Sequence, residues 1–160
     1  MRVRSFEMTS TVTVNAPFES VWMALTDANR WPEWCRVCPS VSVAPQVWSP
    51  GETLSFKLRM AGIAVPFNVR LTDVESGRRV SWVSTKFTIK AGRTISLEPR
   101  DAGVTVTDHK RFSSPVIPVG VYYPQFLSRR MTESWLEDLK AEAERLAGRR
   151  WPASSREMDH

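Results

Sequence analysis

The sequence predicts an α+β fold in which a curved antiparallel sheet of seven strands wraps around one long C-terminal helix, in the order β-α-α-β-β-β-β-β-β-α. Three observations carry this reading. Apolar and polar residues alternate from Val37 to Phe112, two short helical pieces separate the first strand from that block, and an apolar stripe recurs every four residues near the end.

The first strand is Ser10 to Val14, and it stops at Asn15-Ala16-Pro17. Pro17 suits the opening turn of a helix, where an N–H is not required. Phe18, Val21, Trp22 and Leu25 then fall at i, i+3, i+4 and i+7 and form one apolar face. A second helical piece runs from Asn29 to Cys35, with Pro32 in its first turn. Val41 to Val43 opens the strand block, followed by Thr53 to Met60 and by a strand whose apolar face is Val65, Phe67, Val69 and Leu71. Val80 to Val83 is short, and Phe87 to Leu97 and Val104 to Phe112 are longer. Turns at Ala61-Gly62, Glu75 to Arg78 and Pro99 to Gly103 join them, and links this short force antiparallel neighbours. The final helix begins near Pro124, presents Leu127, Met131, Trp135, Leu139, Ala143 and Leu146 on one face, and is expected to end at Gly148.

A chain of 160 residues fits one domain, here 1–148, with 149–160 expected to be a mobile polar tail. Hydrophobic residues at 42% and charged ones at 24% exclude a disordered chain. No apolar stretch approaches the roughly 20 residues that span a bilayer, and Met1 to Ser10 lacks the apolar core of a secretory signal. The expectation is therefore a cytoplasmic protein with no integral membrane association, either a monomer or a homodimer. A net charge of +5 raises nucleic acid as a partner, but Arg59, Arg70, Arg78, Arg79, Arg93 and Arg111 are scattered rather than clustered, which argues against it.

A long helix on a curved sheet touches it along a line, leaving space beside it for side chains or for a ligand. Phe56, Leu58, Phe67, Val69 and Trp82 on strands, with Tyr123, Leu127 and Met131 at the helix start and Trp34 near the entrance, are the candidate lining. Composition does not distinguish a filled core from a cavity here.

Val14 to Trp22 and Leu25 to Trp34 resemble the opening of the START-like (SRPBCC) superfamily, in its polyketide cyclase/dehydrase and lipid-transport branch. Gly92 to Pro99, the turn ending in Gly103, and Val104 to Thr107 are similar to that family's last two strands. The resemblance runs from about Met8 to Gly148, and Asp27 to Trp34 is a fold signature rather than a catalytic one. It implies a helix-grip fold with an internal cavity, a small hydrophobic ligand, and no cofactor or fixed triad. Cyclases of this branch direct aldol condensation of a poly-β-ketone by shaping such a cavity.

Catalytic candidates are few. His109 is the histidine within a structural element, but alternation that turns Val104 and Val106 inward also turns Asp108 inward and His109 outward. Tyr122 and Tyr123 carry phenols able to polarise a ligand carbonyl. Arg93 or Arg111, if inward, would need an anionic partner, and a surface position is expected for both. Cys35 and Cys38 form a CxxC, but it ends a helix and has no second ligand pair, so neither redox nor metal chemistry is expected; they read as small apolar residues at the cavity mouth. The favoured function is binding of a hydrophobic or aromatic small molecule. The alternatives are a polyketide cyclase or dehydratase using Tyr123 or His109, and a protein-interaction module of the co-chaperone or toxin type.

Overall fold

The computed structural model describes residues 5–86, 88–115 and 125–150. Its elements are β1 (Ser5–Val14), α1 (Phe18–Thr26), a 3-10 turn (Ala28–Arg30), α2 (Trp31–Trp34), β2 (Ser40–Val43), β3 (Thr53–Met60), β4 (Ile63–Glu75), β5 (Arg79–Lys86), β6 (Ile89–Arg100), β7 (Gly103–Ser113) and α3 (Gln125–Arg150). All seven strands form one antiparallel sheet in the order β1-β7-β6-β5-β4-β3-β2. Strands β2 to β7 are thus a run of successive hairpins, and β1 closes the far edge beside β7. Irregular register between Val41 and Val43 and between Leu71 and Asp73 bends the strands as bulges do.

Strand β1 starts at Ser5, earlier than its alternation suggests, and pairs with β7 from Ser5↔Ser113 to Val14↔Val104. Met8 and Val14 are buried on its inner face, and Phe6 stacks on Phe112 at 4.9 Å. Ser10 breaks that inner row, which hides the first half of the strand from a pattern reading. The β1–β7 junction is tight: a Cβ added at Gly103 would lie 2.2 Å from the Val14 carbonyl oxygen.

Helix α3 spans 26 residues, about 39 Å at 1.5 Å per residue. Trp135, Leu136, Leu139 and Ala143 are buried, facing the sheet and α1. It continues through Gly148 to Arg150, so that glycine does not end it. Polar clamps hold the short helices onto it. Arg36 meets Asp138 with its backbone N–H at 2.9 Å and its Nε at 3.1 Å, and the buried Glu142 carboxylate takes Arg145 at 2.7 Å and Arg30 at 3.4 Å.

One end of the space between sheet and α3 is solid. Trp31, fully buried with its Nε1 donating to the Leu25 carbonyl at 3.1 Å, lies within 6.4 Å centroid to centroid of Trp48, Phe56, Trp82 and Trp135. Such tilted and edge-on aromatic contacts fill volume and favour ring quadrupoles. The other end is not filled.

A polar-floored cavity between the sheet and the C-terminal helix

At the end of the sheet carrying the β3–β4 and β5–β6 hairpins, an inner chamber of about 80 Å³ lies against Phe56, Leu58, Val69, Trp82, Phe112 and Met131. An outer chamber of about 270 Å³ shares Met60, Phe67, Ser84, Ala91 and Phe112 with it and adds Val65, Lys86 and Ile89. The outer chamber follows from a seam in the sheet. The β4–β5 ladder runs from Glu75↔Arg79 only to Arg70↔Val83, whereas Ser84 to Lys86 go on pairing with β6 and Val65 to Val69 with β3. Pro66 sits in the unpaired stretch. Its carbonyl accepts the Lys86 ammonium at 2.8 Å, so its missing N–H faces the seam, where no ladder needs it. The Lys86 ammonium also lies 5.5 Å above the Phe67 ring.

Arg93 and Lys110 stand on the chamber wall, with Asp108 buried beside them. Inward alternation on β7 places Val104, Val106, Asp108, Lys110 and Phe112 on one face, and on β6 it does the same for Ala91, Arg93, Ile95 and Leu97. Asp108 is completely buried and accepts Arg93 Nε at 3.0 Å and Nη2 at 2.5 Å. The Arg93 guanidinium lies between two indoles, 5.4 Å from the Trp82 ring and 4.5 Å from that of Trp135. Arg93 therefore points inward, correcting the expected surface position; Asp108 and the two rings supply what a buried cation needs. Arg111 is exposed. Beside Arg93, Lys110 Nζ donates to Thr132 Oγ1 at 2.5 Å, and that hydroxyl donates to the Ser128 carbonyl at 2.8 Å. Lys110 is half-buried and lines the inner chamber. Burial above all, and then the Arg93 charge, push its ammonium down to about 7, with Asp108 opposing.

The expected lining is partly rearranged. Phe56, Leu58, Phe67, Val69, Trp82 and Met131 stand on the cavity wall. Leu127 does not: it is half-buried outside the wall, because the helix turns Ser128, Met131, Thr132 and Trp135 toward the sheet instead. Trp34 is also off the wall, held edge-on against Trp135 at 5.9 Å in the filled end. Tyr122 and Tyr123 lie outside the described residues. His109 faces away from the cavity on the outer side of the sheet, its ring nitrogens on Thr9 Oγ1 at 2.9 Å and Glu7 Oε1 at 3.2 Å, as alternation requires. Cys35 and Cys38 are buried free thiols of the core rather than the mouth. Burial chiefly raises them, Cys35 to about 12 and Cys38 to about 11, which leaves both inert as nucleophiles at neutral pH. Among the described residues no three His, Cys, Asp or Glu side chains converge as a metal set, and no helix is long and apolar enough to cross a membrane. Lys110 and Ser128 were missed by sequence reasoning; the inward register inferred for Asp108 also carries position 110, and applying it two residues further would have found the amine.

Comparison with known proteins decides the family. A family model described as polyketide cyclase / dehydrase and lipid transport matches residues 5–149. The chain belongs to this family. Solved structures share the polyketide cyclase/dehydrase and lipid transport fold at low identity. The Zhui aromatase/cyclase from Streptomyces sp. R1128 superposes with a TM-score of 0.76 at 17% identity, over 88% of this chain and 94% of that one. The di-domain ARO/CYC StfQ from the steffimycin biosynthetic pathway gives 0.76 at 13% identity, over 90% of this chain and 52% of that one. A START superfamily protein from Mycobacterium smegmatis gives 0.67 at 15%, over 88% and 98%. At these identities the likeness establishes the helix-grip fold alone. No curated protein matches the sequence.

Proposed function

We propose that this family member binds a small hydrophobic or aromatic molecule carrying a polar oxygen, held in the cavity between the sheet and α3. One observation carries this reading: an apolar chamber ends on a floor of two basic side chains. Its walls are Phe56, Leu58, Phe67, Val69 and Trp82, and the floor is Arg93 and Lys110. Apolar pockets with a few convergent polar groups are the usual form of small-molecule sites. The Arg93 nitrogens engaged by Asp108 are Nε and Nη2, which leaves Nη1 to meet a ligand oxygen.

The test is native mass spectrometry of the purified protein with identification of what it carries, followed by thermal shift with flat aromatic and fatty-acid ligands. A ligand at a hundred times its Kd stabilises by about 2.7 kcal/mol, a readily measured shift. Filling the chamber with Ala91→Phe should remove that shift while the empty protein stays folded. An empty protein whose melting temperature no such ligand moves would sink the reading.

A second reading, a polyketide cyclase or dehydratase acting in the same cavity, is favoured by Arg93 and Lys110 on the wall, the latter held by Thr132. In it Arg93 stabilises an enolate oxygen and Lys110 moves the proton, in place of the acid or base that the sequence offered in Tyr123 or His109. Turnover of a poly-β-ketone mimic that Lys110→Met abolishes and His109→Ala leaves intact would support it.

A further inference from the structure

We propose that the Lys110 ε-amine is a nucleophile that condenses with the carbonyl carbon of a cavity-bound aldehyde or ketone to give an imine and water. The inference rests on the binding reading above and goes beyond it, from a held ligand to a covalently captured one.

Position is the first support. Lys110 stands on the wall of the inner chamber, among Phe56, Trp82, Phe112 and Met131, where an apolar carbonyl compound would be held. A reacting pair held in one pocket gains the advantage of an intramolecular reaction. The amine is fixed by a single hydrogen bond to Thr132 Oγ1 at 2.5 Å. That hydroxyl has its own proton engaged with the Ser128 carbonyl. It can only accept from the amine, so it orients the nitrogen without protonating it.

Electrostatics is the second. Among the described residues, the charged groups near Lys110 are Arg93, its cross-strand partner on β6, and Asp108, two residues back on β7. The Asp108 carboxylate is occupied by Arg93, which weakens its support for an ammonium at Lys110. From β1 the neighbours are Met8 and Ser10, and from α3 they are Ser128, Met131 and Thr132, none of them charged. The ammonium is therefore held down to about 7, and a large fraction of the side chain is a neutral amine at physiological pH. An exposed lysine is almost wholly protonated there. Desolvated lysines beside a second cation are the ones activated for carbonyl chemistry.

The chemistry balances without a further reagent. The nitrogen lone pair attacks the carbonyl carbon, the C–N bond forms, and the carbonyl electron pair moves to oxygen, where the Arg93 guanidinium stabilises the charge. A proton passes from the new ammonium to that oxygen, giving a carbinolamine. The hydroxyl then leaves with the second nitrogen proton as one water molecule while the C=N bond forms.

The experiment uses the full chain at pH 7 with two probes, 2-naphthaldehyde and 2-methylnaphthalene, of similar shape but only one of which has a carbonyl. Sodium cyanoborohydride fixes any imine, and intact-mass and peptide analysis locate it. The expected result is one naphthylmethyl group per chain on Lys110, at least about tenfold above any exposed lysine such as Lys57 or Lys90. Lys110→Arg and Lys110→Met should lose the label, with circular dichroism checking that each variant is folded. Mapping on the unaltered protein decides the matter even if a variant fails to fold. Binding of both probes with no label on Lys110, or label spread over exposed lysines, overturns the covalent step and leaves the cavity reading standing. Binding of neither probe overturns both.

Discussion

Asp108 holds Arg93 in the interior of the sheet through contacts of 3.0 and 3.1 Å from Nε and one of 2.5 Å from Nη2, with the acid wholly buried and the guanidinium side chain only 11% exposed. The pair links β6 to β7 where their register sets Arg93 beside Lys110 and Ile95 beside Asp108.

Breaking this pair should be costly. Asp108→Ala leaves a buried guanidinium without its anion, and the expected loss is about 3–5 kcal/mol by urea unfolding. Replacing both partners with apolar residues, Arg93→Met with Asp108→Leu, should recover most of that loss, because no unpaired charge then remains. A double variant as unstable as Asp108→Ala would contradict the assignment of the cost to the stranded charge.

Stability should depend on pH through Lys110 and the two thiols. Between about 7 and 10.5 the unfolded chain keeps a proton that folded Lys110 has released, so raising the pH favours the folded state. From about pH 9 the unfolded thiols ionise while buried Cys35 and Cys38 stay protonated to about 12 and 11, so raising the pH then favours unfolding. These three groups together place a stability maximum near pH 9, with slopes of at most about 1.4 kcal/mol per pH unit for each proton. In Lys110→Met the rising limb between pH 7 and 9 should vanish, which denaturant midpoints across that range will reveal.

Gly103→Ala should destabilise by about 1–3 kcal/mol, since the added methyl would meet the Val14 backbone oxygen, and a strand backbone yields less than a side chain does. Thermal unfolding measures it. An unchanged melting temperature would show that β1 and β7 separate more easily than their register suggests.

Ala61→Gly should act in the opposite sense. Ala61 at φ 50° and Gly62 at φ 83° form the two-residue β3–β4 turn, whose geometry requires positive φ at both positions. A side chain there costs about 1 kcal/mol, so glycine should raise stability by a few tenths to about 1 kcal/mol after its own chain entropy is deducted.

The order of the elements was legible because each buries one face and so carries the period of its own geometry. Alternation located all seven strands and fixed the outward direction of His109. It failed where inward positions are polar. Ser10 and Asp108 face each other across β1 and β7; alternation turned Asp108 inward, but Arg93 read as a surface residue and Lys110 was passed over in a pattern that equates charge with solvent. The buried Arg93–Asp108 pair beside two tryptophans is stable only as a pair, and a linear reading meets its members one at a time. Whether the space beside α3 is filled was likewise not legible. It depends on where Trp31, Trp48 and Trp135 pile up, at the end away from the β3–β4 and β5–β6 turns, which is a property of the three-dimensional arrangement.

The interrupted ladder between β4 and β5 bears on how copies of this protein behave toward one another. Where two strands part, their main-chain groups form a template on which a strand from a second molecule can add, the first step of edge-to-edge aggregation. Pro66 removes a donor from that template and Lys86 sets a cation across it, so the opening is poorly suited to a foreign strand.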